Sequence, residues 1–213
     1  MKDIRAKLTL PDAPNDEVLK NKDGKHNPIL SPLKKFHGII WPYSPTVNIS
    51  HQAEYGEYDI THTNYPIHYY TRSRPPAIMC SGQLTAQTAA EANYMVAVLH
   101  FLRIVTKMHF GMNDPKRGTP PPVLKFSAYG DLMFSMVPVL VRSFTYDLPG
   151  DVDYVDVETN SANAGFDSDF SSKVPSMLTL SIDMVIQQTA SKLRTEFTMN
   201  DFKSGKLVKG GYV

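Results

Sequence analysis

The sequence predicts a mainly β protein of the α+β class with one long α-helix. Apolar and polar residues alternate at the two-residue period of a strand on both sides of a single segment with helical periodicity, residues 88–110. The chain has 213 residues, enough for one sizeable domain. We expect a β domain at 36–199, preceded by an extended N-terminal arm at 1–35 and followed by a C-terminal docking tail at 200–213.

Residues 1–35 show no sustained helix or strand period, because prolines and charged residues interrupt the apolar positions. This segment carries eight basic and five acidic side chains, a net charge of +3. Such a composition is typical of an arm that becomes ordered against a partner.

Four extended pieces are predicted before the helix, at residues 47–51, 54–62, 67–71 and 77–85. Tyrosines are frequent here, at positions 43, 55, 58, 65, 69 and 70. Tyrosine is favoured in strands and at protein interfaces, and it also stacks on sugars and bases. We consider core and subunit contacts the better interpretation, with a ligand platform as the alternative.

The helix start is marked by Thr88 and Glu91, which have the spacing of a capping box. Gly111 is expected to end the helix in the left-handed conformation. One apolar stripe is expected to pack while the other face stays in water. The stripe and candidate core residues are Met95, Val98, Leu99 and Leu102.

A β-hairpin is predicted after the helix, with strands at 123–127 and 132–146 around the turn at 129–131. Pro138 lacks an N–H donor, so a bulge or an edge is expected there. The following residues 146–172 carry seven acidic and no basic side chains. This acidic loop serves either solubility or a contact between neighbouring copies, for which the candidates are Asp151, Asp153, Asp156 and Glu158.

The cleanest alternation in the chain lies at 177–188 and predicts a strand with one apolar and one polar face. The apolar face is expected to pack against the helix stripe. Its residues are Leu178, Leu180, Ile182, Met184 and Ile186, and the polar residues are Thr179, Ser181, Asp183 and Gln187.

No catalytic or cofactor-binding motif is recognisable, and we expect neither an enzyme nor a metal site. The histidine spacings do not match a helical zinc site, and the chain has a single cysteine. Cys80 lies in an alternating segment and is expected to be a buried small apolar residue rather than a nucleophile.

The charge balance does not favour nucleic-acid binding, because 22 basic and 21 acidic residues give a net charge of +1. No apolar run reaches the length of a bilayer span, so we expect a soluble protein without membrane partners. The lone cysteine fits assembly in a reducing compartment.

A string of stretches carries a family resemblance over residues 36–199: Pro42-Tyr43-Ser44-Pro45, 58–64, the helix at 88–111, 118–124 and 144–154. The ending at 201–205 and 210–213 continues it. In these stretches the chain resembles the tail tube initiator and baseplate hub proteins of contractile-tailed, T4-like bacteriophages.

The resemblance implies a phage tail-tube-type β-barrel or sandwich with a flanking helix. It implies a structural virion protein that forms a hexameric ring, in which each subunit contributes strands to an inter-subunit β-barrel that lines the DNA channel. The lumen-facing residues would then be Thr179, Ser181, Asp183 and Gln187.

The implied partners are further copies of the chain, the central baseplate hub proteins, and the tail tube protein or a second tube initiator. DNA and the tape measure protein would pass through the lumen without specific binding. The location would be the virion tail, after assembly in the host cytoplasm. Two alternatives remain: a monomeric adaptor or ligand-binding module, and a tail-associated cell-wall hydrolase.

Overall fold

The computed structural model describes residues 4–11, 18–20, 27–157 and 172–213. It confirms the α+β class, because the described residues form mainly strands with a few helices. The strands are β1 (Lys7–Thr9), β2 (Gly38–Ile40), β3 (Thr46–Tyr58), β4 (Ile67–Thr85), β5 (Leu124–Ala128), β6 (Phe134–Asp147), β7 (Tyr154–Val157), β8 (Ser172–Pro175) and β9 (Met177–Ile186). The helices are α1 (Ala89–Val105), α2 (Ala190–Thr195) and α3 (Met199–Lys203), with 3-10 helices at Pro28–Phe36 and Lys206–Gly210.

Seven of the described strands form one antiparallel sheet in the order β2-β1-β5-β6-β9-β4-β3. Strands β7 and β8 pair separately. The four strands β6, β9, β4 and β3 are the longest and lie side by side. We call these four strands the wall.

One face of the wall is buried, as the alternation in β9 predicted. Leu178, Leu180, Ile182 and Met184 are buried there, and Ile186 is half-buried against the same core. They share a single core with the helix stripe, since Met95, Val98, Leu99 and Leu102 are also buried. The candidate core residues thus lie in one buried cluster, with Ile186 at its margin.

Helix α1 begins as predicted. The Thr88 side chain accepts a hydrogen bond from the Glu91 N–H at 3.4 Å, and the Glu91 carboxylate accepts one from the Thr88 N–H at 3.3 Å. This is the reciprocal capping box, which satisfies two N–H groups that the first turn leaves unpaired.

The predicted end of the helix at residue 110 is wrong, because α1 ends at Val105. The Thr106 hydroxyl donates to the carbonyls of Leu102 and Arg103, at 3.0 and 3.2 Å, and so satisfies carbonyl groups of the last turn. Gly111 is in a positive-φ conformation but belongs to the following loop.

The buried face of α1 is wider than the predicted stripe, although the other face keeps Glu91 and Arg103 exposed as expected. Phe101 and Ala97 are fully buried, although neither belongs to the predicted stripe. The 3-10 helix Pro28–Phe36 and the β7–β8 pair pack on α1 in addition to the sheet. The Tyr94 hydroxyl further ties the helix to β2, where it donates to the Ile40 carbonyl at 2.7 Å and accepts from the Ile40 N–H at 2.8 Å.

The N-terminal segment differs from the expected extended arm wherever the structure describes it. Strand β1 pairs with both β2 and β5, so it lies inside the main sheet. Leu8, Leu30 and Leu33 are buried in the common core. These isolated leucines lie in short elements whose partners are distant in sequence. Local periodicity therefore does not predict that they are buried.

Strands β3 and β4 are longer than the four separate pieces predicted. They form one long hairpin whose register is interrupted at His51 and at Pro75-Pro76. The prolines cannot donate to the ladder, and they lie directly beyond the last pair of β4 with β9, Ala77 with Val185. We call residues 51–76, beyond this point, the projecting hairpin.

The hairpin predicted after the helix is confirmed as β5 and β6, with Tyr129 and Gly130 in positive-φ conformations at the turn. A register shift near Pro138 includes Met136, which also has a positive φ of 52°. The bulge therefore lies before Pro138, which itself pairs in register with Lys125, and the predicted position was wrong by about two residues.

The C-terminal residues dock on the body of the same chain. Leu207 and Tyr212 are buried, whereas Phe202 is 37% exposed. The Gln188 amide donates to the Gly211 carbonyl at 2.9 Å, which fixes the last residues beside the end of β9.

Candidate assembly surfaces

The second face of the wall is open to solvent and largely polar. The predicted Thr179 is exposed there, and Ser181 and Asp183 are half-buried. Gln187 lies just beyond the end of β9, and its N–H donates to the Pro138 carbonyl at 2.9 Å. We call this surface the open face.

The cross-strand register places hydroxyl side chains in one row across the open face. Thr145 lies opposite Ser181, which lies opposite Ser81, which lies opposite Thr46. The hydroxyls of Ser81 and Ser181 are hydrogen-bonded at 2.8 Å. The row is therefore neutral, and its two central hydroxyls are already partly satisfied.

Every arginine on the four strands of the wall is paired with a carboxylate. Glu54 binds both Arg72, at 3.0 Å, and Arg74. The Arg142 Nε donates to Asp183 Oδ2 at 2.8 Å. No lysine occurs in these strands, so each cation of the wall contacts a carboxylate, with Arg72 and Arg74 sharing the single charge of Glu54.

One lateral edge of the wall is unpaired within the described chain, and the other is unpaired over its second half. Strand β3 pairs only with β4. Strand β5 covers β6 only as far as Val139, so residues 140–147 have a partner on one side alone. Unpaired edges expose rows of N–H and C=O groups that favour pairing with another strand.

The projecting hairpin exposes aromatic side chains on a two-stranded ribbon. Tyr55 and Tyr70 are about 60% exposed and meet edge to face, with centroids 5.9 Å apart. Tyr65, at the tip, is 83% exposed. A two-stranded hairpin has little core of its own, so these rings are available for contact with another surface.

The predicted acidic loop is only partly a loop. Asp151 and Asp153 are exposed in the connection after β6, but Asp156 lies within β7 and pairs with Lys173 of β8 at 3.3 Å. Glu158 lies outside the described residues.

The residue types that could serve catalysis or metal binding are the single cysteine, the histidines and the carboxylates. Cys80 is fully buried on the core face of β4, and burial raises the pKa of its thiol to about 12. The ionised nucleophilic form is therefore disfavoured at neutral pH. The described ranges contain no cluster of three His, Cys, Asp or Glu side chains suited to a metal ion.

One concave site lies on the open face itself, with a volume of about 370 Å³. Asn48, Met79 and the Arg142–Asp183 pair line it. A second, of about 480 Å³, lies between β2 and the start of α1, near Tyr43 and Tyr94. The tyrosines of the projecting hairpin line neither of these sites.

Sequence reasoning missed Arg142 and the free edges. A bulge between Val141 and Ser143 shifts the β6 register, so strict alternation does not show that Arg142 reaches Asp183. The edges depend on strand order, which local periodicity does not carry. The hydroxyl row was easier to predict from the sequence, because alternation in 77–85 already places Ser81 on the opposite face from the buried Cys80.

None of the helices in the described ranges is both long and apolar enough to cross a membrane. In comparisons with known proteins, no family model matches this chain, and no curated protein sequence matches it significantly.

Proposed function

We propose that this chain is a structural subunit of a contractile phage tail, the baseplate hub or tail tube initiator, and that six copies form a ring that templates the tube. The observation that carries the proposal is the wall: four antiparallel strands with one polar face, one unpaired edge and one edge unpaired over its second half. The resemblance in sequence is the reason for proposing a phage tail protein, and the wall is the physical reason for proposing a ring.

The order of strand directions supports lateral joining of copies. Along β6, β9, β4 and β3 the direction alternates, so β3 of one copy would lie antiparallel to β6 of the next. Because four is an even number, alternation continues around a ring of any size. The contact joins two different edges, which is the heterologous arrangement that produces closed rings.

Closure of six walls would give 24 strands. At about 4.8 Å between strands, the circumference is about 115 Å and the backbone diameter about 37 Å before strand tilt widens it. Such a lumen admits duplex DNA. Closure would also remove the exposed edges.

The open face suits the inner surface of this ring. Its side chains include small hydroxyl residues such as Thr145 and Thr46, and its cations are paired with carboxylates. DNA binding depends mainly on lysine and arginine contacts to phosphates. A surface with few cations, each of them next to a carboxylate, would let DNA pass without being held.

Disulfide cross-linking tests the lateral contact. Thr46 and Thr145 occupy the same row of the open face on opposite edge strands, so the double variant Thr46→Cys/Thr145→Cys would link one copy to the next. Two further doubles, with Ser143→Cys or Asp147→Cys in place of Thr145→Cys, cover staggered registers. Buried Cys80 does not compete.

We expect at least one double variant to give a cross-linked ladder that ends at six chains, while the single variants give none. A folded protein that forms no ladder in any of the three registers would overturn the ring. Efficient dimers from a single variant would also overturn it, because they require a twofold contact between identical edges.

A further inference from the structure

We propose that the two ends of the wall bind each other in different copies of this chain, so that a second copy docks end to end through its C-terminal helices. The basic end is defined as residues 188–213 and the acidic end as residues 147–157. The stacking of whole rings rests on the proposed function. The contact itself does not, because it would also join two single chains.

The basic end carries a net charge of +3 in its side chains, with five basic and two acidic residues. Two of the basic residues are engaged within the segment, because Lys192 pairs with Glu196 and Lys206 with Asp201. Three others are exposed and make no ion pair in the described part of the chain. They are Arg194, Lys203 and Lys209.

The acidic end has the opposite pattern. Asp156 is paired with Lys173, whereas Asp147, Asp151 and Asp153 are exposed without an ion pair among the described residues. Three unpaired anions on one end therefore match three unpaired cations on the other. Surfaces of this kind attract each other at low salt and suppress contacts between like ends.

The two ends are too far apart to pair within one chain. Asp147 lies opposite Thr179 at the start of β9, whereas the C-terminal segment is fixed beside Pro138 and Ile186 at the end of β9. Seven residues of extended strand separate these levels, a distance of about 23 Å. The charges can meet only between copies.

Each end also exposes apolar side chains that such a contact would bury. Leu193 and Phe197 are 46% and 42% exposed at the basic end. Leu148 and Tyr154 are 57% and 43% exposed at the acidic end. Apolar groups with surrounding charges are the usual composition of a protein interface.

A charge-swap experiment tests the proposal. One variant is Lys203→Glu/Lys209→Glu, a second is Asp151→Lys/Asp153→Lys, and the third combines all four changes. Self-association is measured by sedimentation in about 0.05 M and about 0.5 M NaCl. Lateral contact is followed separately with the Thr46→Cys/Thr145→Cys ladder in each background.

We expect each charge-reversed variant to associate at least about tenfold more weakly than the parent at low salt, and the combined variant to recover affinity within about threefold. High salt should weaken the self-association of the parent protein to a similar degree. The 1:1 mixture of the two reversed variants should associate more strongly than either variant alone, because each end of one variant then meets an end of opposite charge on the other.

Unchanged self-association in both reversed variants, or no recovery in the combined variant, would overturn end-to-end docking. If the cysteine ladder still forms in these variants, the lateral ring stands while the stacking proposal fails. If ladder and stacking are both absent in the parent, both proposals fail. Unreactive Cys80 thiol reports that each variant is folded.

Discussion

The Arg142 guanidinium is bound to the Asp183 carboxylate across two adjacent strands, with its Nε 2.8 Å from Oδ2. The arginine side chain is 61% exposed, while that of the aspartate is 18% exposed. Asp183 therefore holds a cation that would otherwise stand free on the open face.

Replacement of Asp183 by Asn should convert the open face into a weak DNA-binding surface. The variant leaves Arg142 as a cation without its carboxylate, and each new phosphate contact adds about 0.9 to the slope of log K against log salt. Fluorescence anisotropy of a labelled duplex at several salt concentrations measures this. Stability should change by about 1 kcal/mol or less, because solvent screens the exposed Arg142 end of the pair.

The control for this experiment is the double variant Asp183→Asn/Arg142→Gln, which removes both charges and should bind DNA no better than the parent. Equal DNA affinity of the parent and Asp183→Asn at every salt concentration would contradict the role given to this pair.

Replacement of Leu180 by Asp should abolish folding. Leu180 has no exposed surface, and an unpaired carboxylate there costs more than about 4 kcal/mol, a large part of the stability of a domain. Circular dichroism and urea titration measure the loss. The matched control is Thr179→Asp on the neighbouring exposed position, which should fold; equal behaviour of the two variants would show that the core face is wrongly assigned.

Replacement of Gly82 by Ala should destabilise the protein by about 1–3 kcal/mol through overpacking. An added Cβ would lie 2.7 Å from Trp41 Cδ1 and 2.8 Å from Pro45 Cβ, and Trp41 is fully buried. Because Trp41 is the sole tryptophan, its fluorescence follows urea unfolding directly. Gly150→Ala is the control, since no atom lies within 4 Å of its added Cβ; a midpoint for Gly82→Ala no lower than that of the control would refute the close contact.

His100 should make the protein less stable as the pH falls below about 6.5. Its burial, together with the nearby Arg103 charge, lowers the pKa of the imidazole below its usual value of about 6.5. The unfolded chain then binds a proton at a higher pH than the folded chain, so stability is full above about 6.5 and decreases as the pH falls toward the folded pKa.

The measurement for His100 is the free energy of unfolding from pH 8 to pH 5, for the parent and for His100→Gln, at roughly unit intervals of pH. The difference between the two proteins should change in favour of the variant as the pH falls. A difference that stays constant, or that changes in favour of the parent, would contradict the prediction.

The sequence carried the local features of the fold and few of the long-range ones. Thr88 and Glu91 predict the helix start because a capping box is a contact over three residues. The alternation in β9 predicts its buried side chains because pleating forces side chains to opposite faces. Both signals arise within a few residues.

The missed features depend on distant partners. Strand β1 is only three residues long, and it becomes a strand because β2 and β5 lie on its two sides. Phe101 is buried on α1, which packs against the distant 3-10 helix that starts at Pro28, and the helical period does not indicate this burial. Bulges such as that at Arg142 also change the face a side chain occupies without altering the sequence pattern.

The two prolines at 75 and 76 separate the projecting hairpin from the main hydrogen-bonded ladder. No residue of the tip at 59–66 is buried, so the packing of the core does not depend on what is placed there. Foreign peptides inserted at this tip would lengthen the projecting hairpin without unfolding the rest of the protein. The molecule thus has a natural site for an epitope or an affinity tag, displayed away from its centre.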